Sequence, residues 1–175
     1  MVPGGRRQVG QHPLDGRRAV GHVLTHIARN ADSVVRRLEG AARGEVLDQY
    51  AGGLEERQAR IEAGAARRAA DLVAGVADSA AAVERVLADL PPAAWDHPSR
   101  TSRGVLEPSR DAVFARWREV VVHHGDLGFR PVPLPAALVE AWLPRELPAL
   151  ASRADPSELL AWVLGRRPAP LLSPW

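Results

Sequence analysis

"REVVVHHGDL", residues 118–127, sets a carboxylate and two adjacent imidazoles against a run of valines. The valine triplet at 120–122 has strand propensity when read alone. Its neighbours point to a helix instead. Pro108 suits a first helical turn, and Asp111 favours the positive end of the helix dipole. Phe114, Trp117, Val120, Val121 and His124 then carry the pattern towards Gly128. On such a helix Glu119 and His123, four residues apart, stand one above the other on the same face. That makes them a pair of candidate metal ligands.

A second stretch repeats the arrangement. "GHVLTHIARN", residues 21–30, carries His22 and His26 four apart, and Val23, Ile27, Val34 and Leu38 mark an apolar helical face from Val20 to a stop at Gly40. Zinc and similar divalent ions take imidazole nitrogen and carboxylate oxygen, and a catalytic zinc keeps three protein ligands with one position open. His26, Glu119 and His123 would form such a set. The same residues have plainer uses, as hydrogen-bonded core histidines or as a glutamate paired with one of the many arginines. His22 lies near the helix start, where it could face water. His124 points roughly 100° away from His123, so one ion would not take both. Asp126 could orient a ligand imidazole through its free ring nitrogen, or contact an arginine. His12 and His97 fall in expected loops. Arg116 and Arg118 could draw an anionic substrate, or equally be solvated helix charges.

The remaining pattern is helical too. A shorter helix is expected from about Leu54 to Ala63, and another in which Leu72, Val76, Val83, Leu87 and Leu90 share a face until Pro91 and Pro92 end it. Residues 93–108 read as a long loop. Past the Pro-rich turn at 129–135, a helix is expected from Ala136 to about Ser152, kinked at Pro144 and Pro148. A last one runs from Pro156 to Leu164, with Asp155 as its cap and Glu158 able to close a capping box. The tail "PAPLLSPW" reads as an extended strap. Residues 1–19, rich in Gly, Arg and Pro, read as an irregular arm, leaving 20–175 as one all-α domain.

Composition narrows the function. The chain has 175 residues, 46% of them apolar, and no cysteine, which removes disulfides, thiolate ligands and a cysteine nucleophile. Any thiol used in chemistry must come from a cosubstrate. All 23 residues counted as Lys+Arg are arginines, yet 21 carboxylates leave a formal charge of only +2, and no basic stripe with interleaved aromatics points to nucleic acid. No stretch approaches the roughly twenty apolar residues of a membrane span, and no secretion signal is evident. A cytoplasmic location is the expectation.

"GHVLTHIARNAD" at 21–32 and "RWREVVVHHGDLG" at 116–128 together resemble the signatures of the mycothiol-dependent maleylpyruvate isomerase N-terminal family, within the wider DinB-like metalloprotein superfamily. "RIEAGAARRAADLVAGV" at 60–76, "LPPAAW" at 90–95 and the final "PLLSPW" add to the likeness. The resemblance implies a four-helix-type DinB-like bundle with extra C-terminal helices, and a divalent metal, usually zinc, on His26, Glu119 and His123. It also implies that mycothiol, a low-molecular-weight thiol, attacks a small electrophile. Family members place a helix ahead of "GHVLTH", whereas this chain offers "LDGRRAV" after its arm, so that first helix is expected to be missing or degenerate. An apolar groove left open there would favour a homo-oligomer. The functional expectation is a metal- and mycothiol-dependent isomerase or transferase. The alternatives are a catalytically silent metal- or ligand-binding protein and a metal-dependent hydrolase.

Overall fold

The computed structural model describes residues 16–128 and 133–173, with the side chains of 16–19 left aside. It divides into two compact units, Met1–Pro131 and Val132–Trp175. The elements of the first are α1 (Gly16–Ala42), α2 (Gly53–Ala65), α3 (Ala69–Ala88), a 3₁₀ turn (Pro92–Trp95), β1 (Pro98–Arg100), β2 (Leu106–Pro108) and α4 (Ser109–Asp126). The second holds α5 (Ala136–Glu146), a 3₁₀ turn (Leu147–Ala149), α6 (Leu150–Arg153) and α7 (Pro156–Val163). The architecture is all-α, as expected, apart from one short hairpin.

Helix α1 is the axis of the first unit: α2, α3 and α4 all pack against it. Its inner stripe is Ile27, Ala31, Val34, Leu38 and Ala41, all buried, at the spacings a 3.6-residue period requires. Val34, Leu38 and Ala41 meet Leu90 and Ala94 in the core, with Val86, Leu87, Trp95 and Val113 packed around them. The helix begins at Gly16, so 16–19 are helical instead of belonging to the irregular arm. The rest of that arm, 1–15, lies outside the described residues, as do Pro174 and Trp175 of the strap.

α2 lies very close to α1. A Cβ added to Gly21 would stand 2.2 Å from the Ala65 carbonyl oxygen, and one added to Gly64 would stand 2.5 Å from the Thr25 methyl. These two glycines let the backbones approach and carry the side chains of α2 up to the His26 side of α1.

The expected loop at 93–108 is in fact structured. β1 and β2 pair antiparallel with Ser99 opposite Glu107, around a turn in which Gly104 takes φ +78° and donates to the Thr101 carbonyl at 2.9 Å. The buried Arg37 of α1 holds this hairpin. Its guanidinium donates to Ser99 Oγ at 2.8 and 3.1 Å and to Glu107 Oε1 at 2.6 Å.

In the second unit Pro144 sits inside α5, and the helix gives way to a 3₁₀ turn at Leu147, close to the expected interruption. Asp155 caps α7 by accepting from the backbone N–H groups of Ser157 and Glu158, at 2.9 and 3.0 Å. The tail is tied back at Ser173, whose N–H donates to the Arg153 carbonyl and whose carbonyl accepts from the Arg153 guanidinium. Among the described residues no helix is long and apolar enough to cross a membrane.

Candidate metal centre

The face that α4 turns towards α1 is polar. Ser109, Ala112 and Arg116 are buried along it, and the same three-then-four spacing continues to Glu119 and His123. Val120 and Trp117 lie off this stripe, at 39% and 38% exposed, and Val121 and Val122 are half-buried. The costly groups in "REVVVHHGDL" thus face the helix partner, while the valines flank them.

Arg116 anchors this face. It is buried, and its guanidinium donates to the Ile27 carbonyl at 2.7 Å and to Asn30 Oδ1 at 3.1 Å, both on α1. Burial lowers its pKa, against the opposing charges of Glu119 and Asp32. Its role is a cross-helix tie rather than the substrate attraction or solvated charge considered from sequence. Arg118 lies beside the site with its NH2 3.5 Å from Glu119 Oε1.

The tie brings His26 opposite Glu119 and His123. Glu119 Oε2 accepts from His26 Nε2 at 2.9 Å and lies 3.3 Å from His123 Nε2. The two imidazoles meet edge to face, ring centroids 4.6 Å apart. One donor atom from each of the three residues lies within 4.8 Å of the others, and all three side chains are partly buried. Bonds of roughly 2.0–2.1 Å from a common ion would separate tetrahedral ligands by about 3.3 Å. The donor set therefore fits a divalent cation in kind, and the two separations of Glu119 from the histidines, 2.9 and 3.3 Å, fit it in spacing.

Burial pushes the Glu119 carboxyl up, but the hydrogen bonds it accepts from His123 and His26 outweigh it. The carboxyl is held well below the usual range. His123 moves the other way: its bond to Glu119 raises its pKa, burial opposes this, and Asp126 adds to the rise. His123 Nδ1 donates to Asp126 Oδ2 at 2.7 Å, which turns Nε2 towards Glu119. A carboxylate behind a ligand imidazole is a common way to fix its tautomer and orientation.

His26 is held differently. Arg57 of α2 donates through NH2 to His26 Nδ1 at 2.9 Å, while its Nε donates to the Tyr50 hydroxyl at 3.2 Å. No sequence spacing pointed to Arg57, which lies 31 positions from His26. His22 stays out of the cluster and pairs with Glu62 at 2.9 Å. His124 is exposed, and His97 contacts the Pro98 carbonyl at 3.0 Å. His12 is outside the described residues.

Fold and site together define a helical bundle with a His-Glu-His group suited to a divalent metal. The family model of the mycothiol maleylpyruvate isomerase N-terminal domain matches residues 19–128, and the chain belongs to that family. Among solved structures, the mycothiol-dependent maleylpyruvate isomerase is similar with a TM-score of 0.66 and 25% identity, covering 69% of this chain and 50% of that one. A variant of that enzyme with one histidine changed to alanine matches with the same TM-score and coverage at 24% identity. The chain thus spans half the length of these structures. No curated protein matches it.

Proposed function

We propose that the chain is a metal- and thiol-dependent enzyme, an isomerase or transferase in which mycothiol supplies the nucleophile for a small electrophile. The observation that carries this reading is the convergence of His26, Glu119 and His123 within 4.8 Å of one another, in a chain whose family is named for mycothiol-dependent isomerisation. These three residues would hold the ion. Imidazole and carboxylate donors suit zinc along with other first-row divalent ions, and zinc is the ion the family resemblance implies. A cation bound there supplies a Lewis-acid position that lowers the pKa of a coordinated thiol, presenting a thiolate near neutral pH.

The chain's own residues prepare that chemistry. Glu119 contributes a carboxylate that stays ionised throughout the ordinary pH range. Asp126 keeps the His123 ring turned with Nε2 inward. Arg57, itself bonded to the Tyr50 hydroxyl, stands against the other ring nitrogen of His26. With no cysteine of its own, the chain has no internal thiol to compete with the cosubstrate.

Thiol consumption by metal-loaded protein, followed across a panel of electrophiles, tests the reading. A transferase consumes thiol as product forms. An isomerase adds the thiolate to a double bond and expels it again, changing the substrate while the thiol is recovered. Turnover that requires both thiol and metal supports the proposal. Substrate hydrolysis that proceeds equally without thiol, or no rate above background, refutes it.

A further inference from the structure

A second polar site lies beside the metal centre, between α1 and the start of α2. The cavity there has a volume of about 210 Å³, well above the roughly 10–15 Å³ that one water needs. Four guanidinium groups line it, those of Arg29, Arg36, Arg57 and Arg60, against the carboxylates of Asp32 and Glu56. Arg29 pairs with Asp32 at 3.0 Å, and Arg60 pairs with Glu56. The other two have no carboxylate partner among the described residues. Arg36 spends its Nε on the Asp48 carbonyl at 3.1 Å. Arg57 bonds to the Tyr50 hydroxyl and to His26 Nδ1, with its Cζ 5.5 Å from the Tyr50 ring centre. Arg36 retains its two terminal nitrogens and Arg57 one of its own, and these N–H donors together suit the oxygens of one small anion.

We propose that this cavity binds a small oxyanion, a carboxylate or a phosphate, gripped by Arg36 and Arg57 and flanked by the Arg29 and Arg60 ion pairs. The aromatic face of Tyr50 fixes the Arg57 guanidinium at the cavity wall. Because Arg57 also touches His26, an anion held there lies one side chain from the metal centre. The site stands independently of the thiol chemistry, since its residues are not the candidate metal ligands and its occupancy can be measured on metal-free protein.

Calorimetric titration of metal-free protein at fixed ionic strength, with inorganic phosphate in one arm and succinate in the other, tests this. Saturable binding of either is expected. Phosphate alone identifies a phosphate site, succinate alone a carboxylate site, and both a general oxyanion site. Arg36→Gln removes one charged donor and should weaken binding about tenfold, with Arg36→Lys in between. Arg103→Gln, an exposed arginine outside the cavity, is the charge-matched control and should leave binding unchanged. Circular dichroism of each variant establishes that the fold is retained. The proposal is overturned if neither anion binds saturably, or if Arg103→Gln weakens binding as much as Arg36→Gln does.

Discussion

Replacing Arg116 with alanine should destabilise the fold through the α1–α4 tie. The residue is 8% exposed, and its guanidinium makes two hydrogen bonds to α1, at 2.7 and 3.1 Å. The two bonds are not equal in consequence. The Ile27 carbonyl lies within α1 and keeps its helical N–H donor, so it loses only its second partner. Asn30 Oδ1, on a buried side chain, loses its charged donor, and a buried acceptor left unmatched costs about 1–3 kcal/mol. Removing the aliphatic stem adds about 1 kcal/mol of lost packing. Relief of the buried charge works the other way, and that charge is costly enough to lower the Arg116 pKa. The net expectation is a loss of about 2–3 kcal/mol for Arg116→Ala. Arg116→Met keeps the stem and should lose about 1 kcal/mol less. Urea unfolding of metal-free protein, followed by circular dichroism, measures both. An Arg116→Ala variant within about 0.5 kcal/mol of the parent would refute the reasoning, since that is the range of an ordinary surface substitution.

Further outcomes follow from the same geometry. Asp126→Asn should weaken metal binding about tenfold, at the low end of what loss of an orienting carboxylate costs because Asp126 is largely exposed; a competition titration with a chelating dye would show no change if Asp126 were a bystander. The raised pKa of His123 means a proton competes for Nε2 beyond the ordinary imidazole range near 6.5, so metal affinity should keep rising with pH through that value, with proton release on binding. An affinity that is flat from about pH 6 to 8 would contradict this. In the metal-free protein the sign differs by residue. The depressed Glu119 contributes stability above its unfolded pKa of about 4.5, lost as acid protonates it, whereas the raised His123 contributes stability at low pH, lost as pH rises through its folded pKa. Gly21→Ala forces a Cβ against the Ala65 carbonyl, and the cost should be about 1–3 kcal/mol in the same urea assay; an unchanged midpoint would mean that the α1–α2 approach is loose.

The parts of this molecule legible from sequence are those set by the helical period. His26, Glu119, His123 and Asp126 are linked by spacings of three and four, or by a repeat of the same motif, and such spacings translate directly into shared faces. The apolar stripe of α1 was legible for the same reason, although Val23 is only partly buried. Arg116 was not. A charged residue amid other charges reads as a solvated face, and only the packing of α4 on α1 turns it inward. Arg57 reaches His26 from a separate helix through the close approach at Gly21 and Gly64, a tertiary relation that no local period encodes. The hairpin escaped notice because its strands are three residues each, too short for an alternating pattern.

The central claim is that one divalent ion is held jointly by α1 and α4. Elemental analysis of the purified protein beside His26→Ala and His123→Ala, with folding verified for each, tests it most directly. Close to one equivalent of a divalent metal in the parent, and a large loss in both variants, is the predicted result. Full occupancy in both variants would contradict the account.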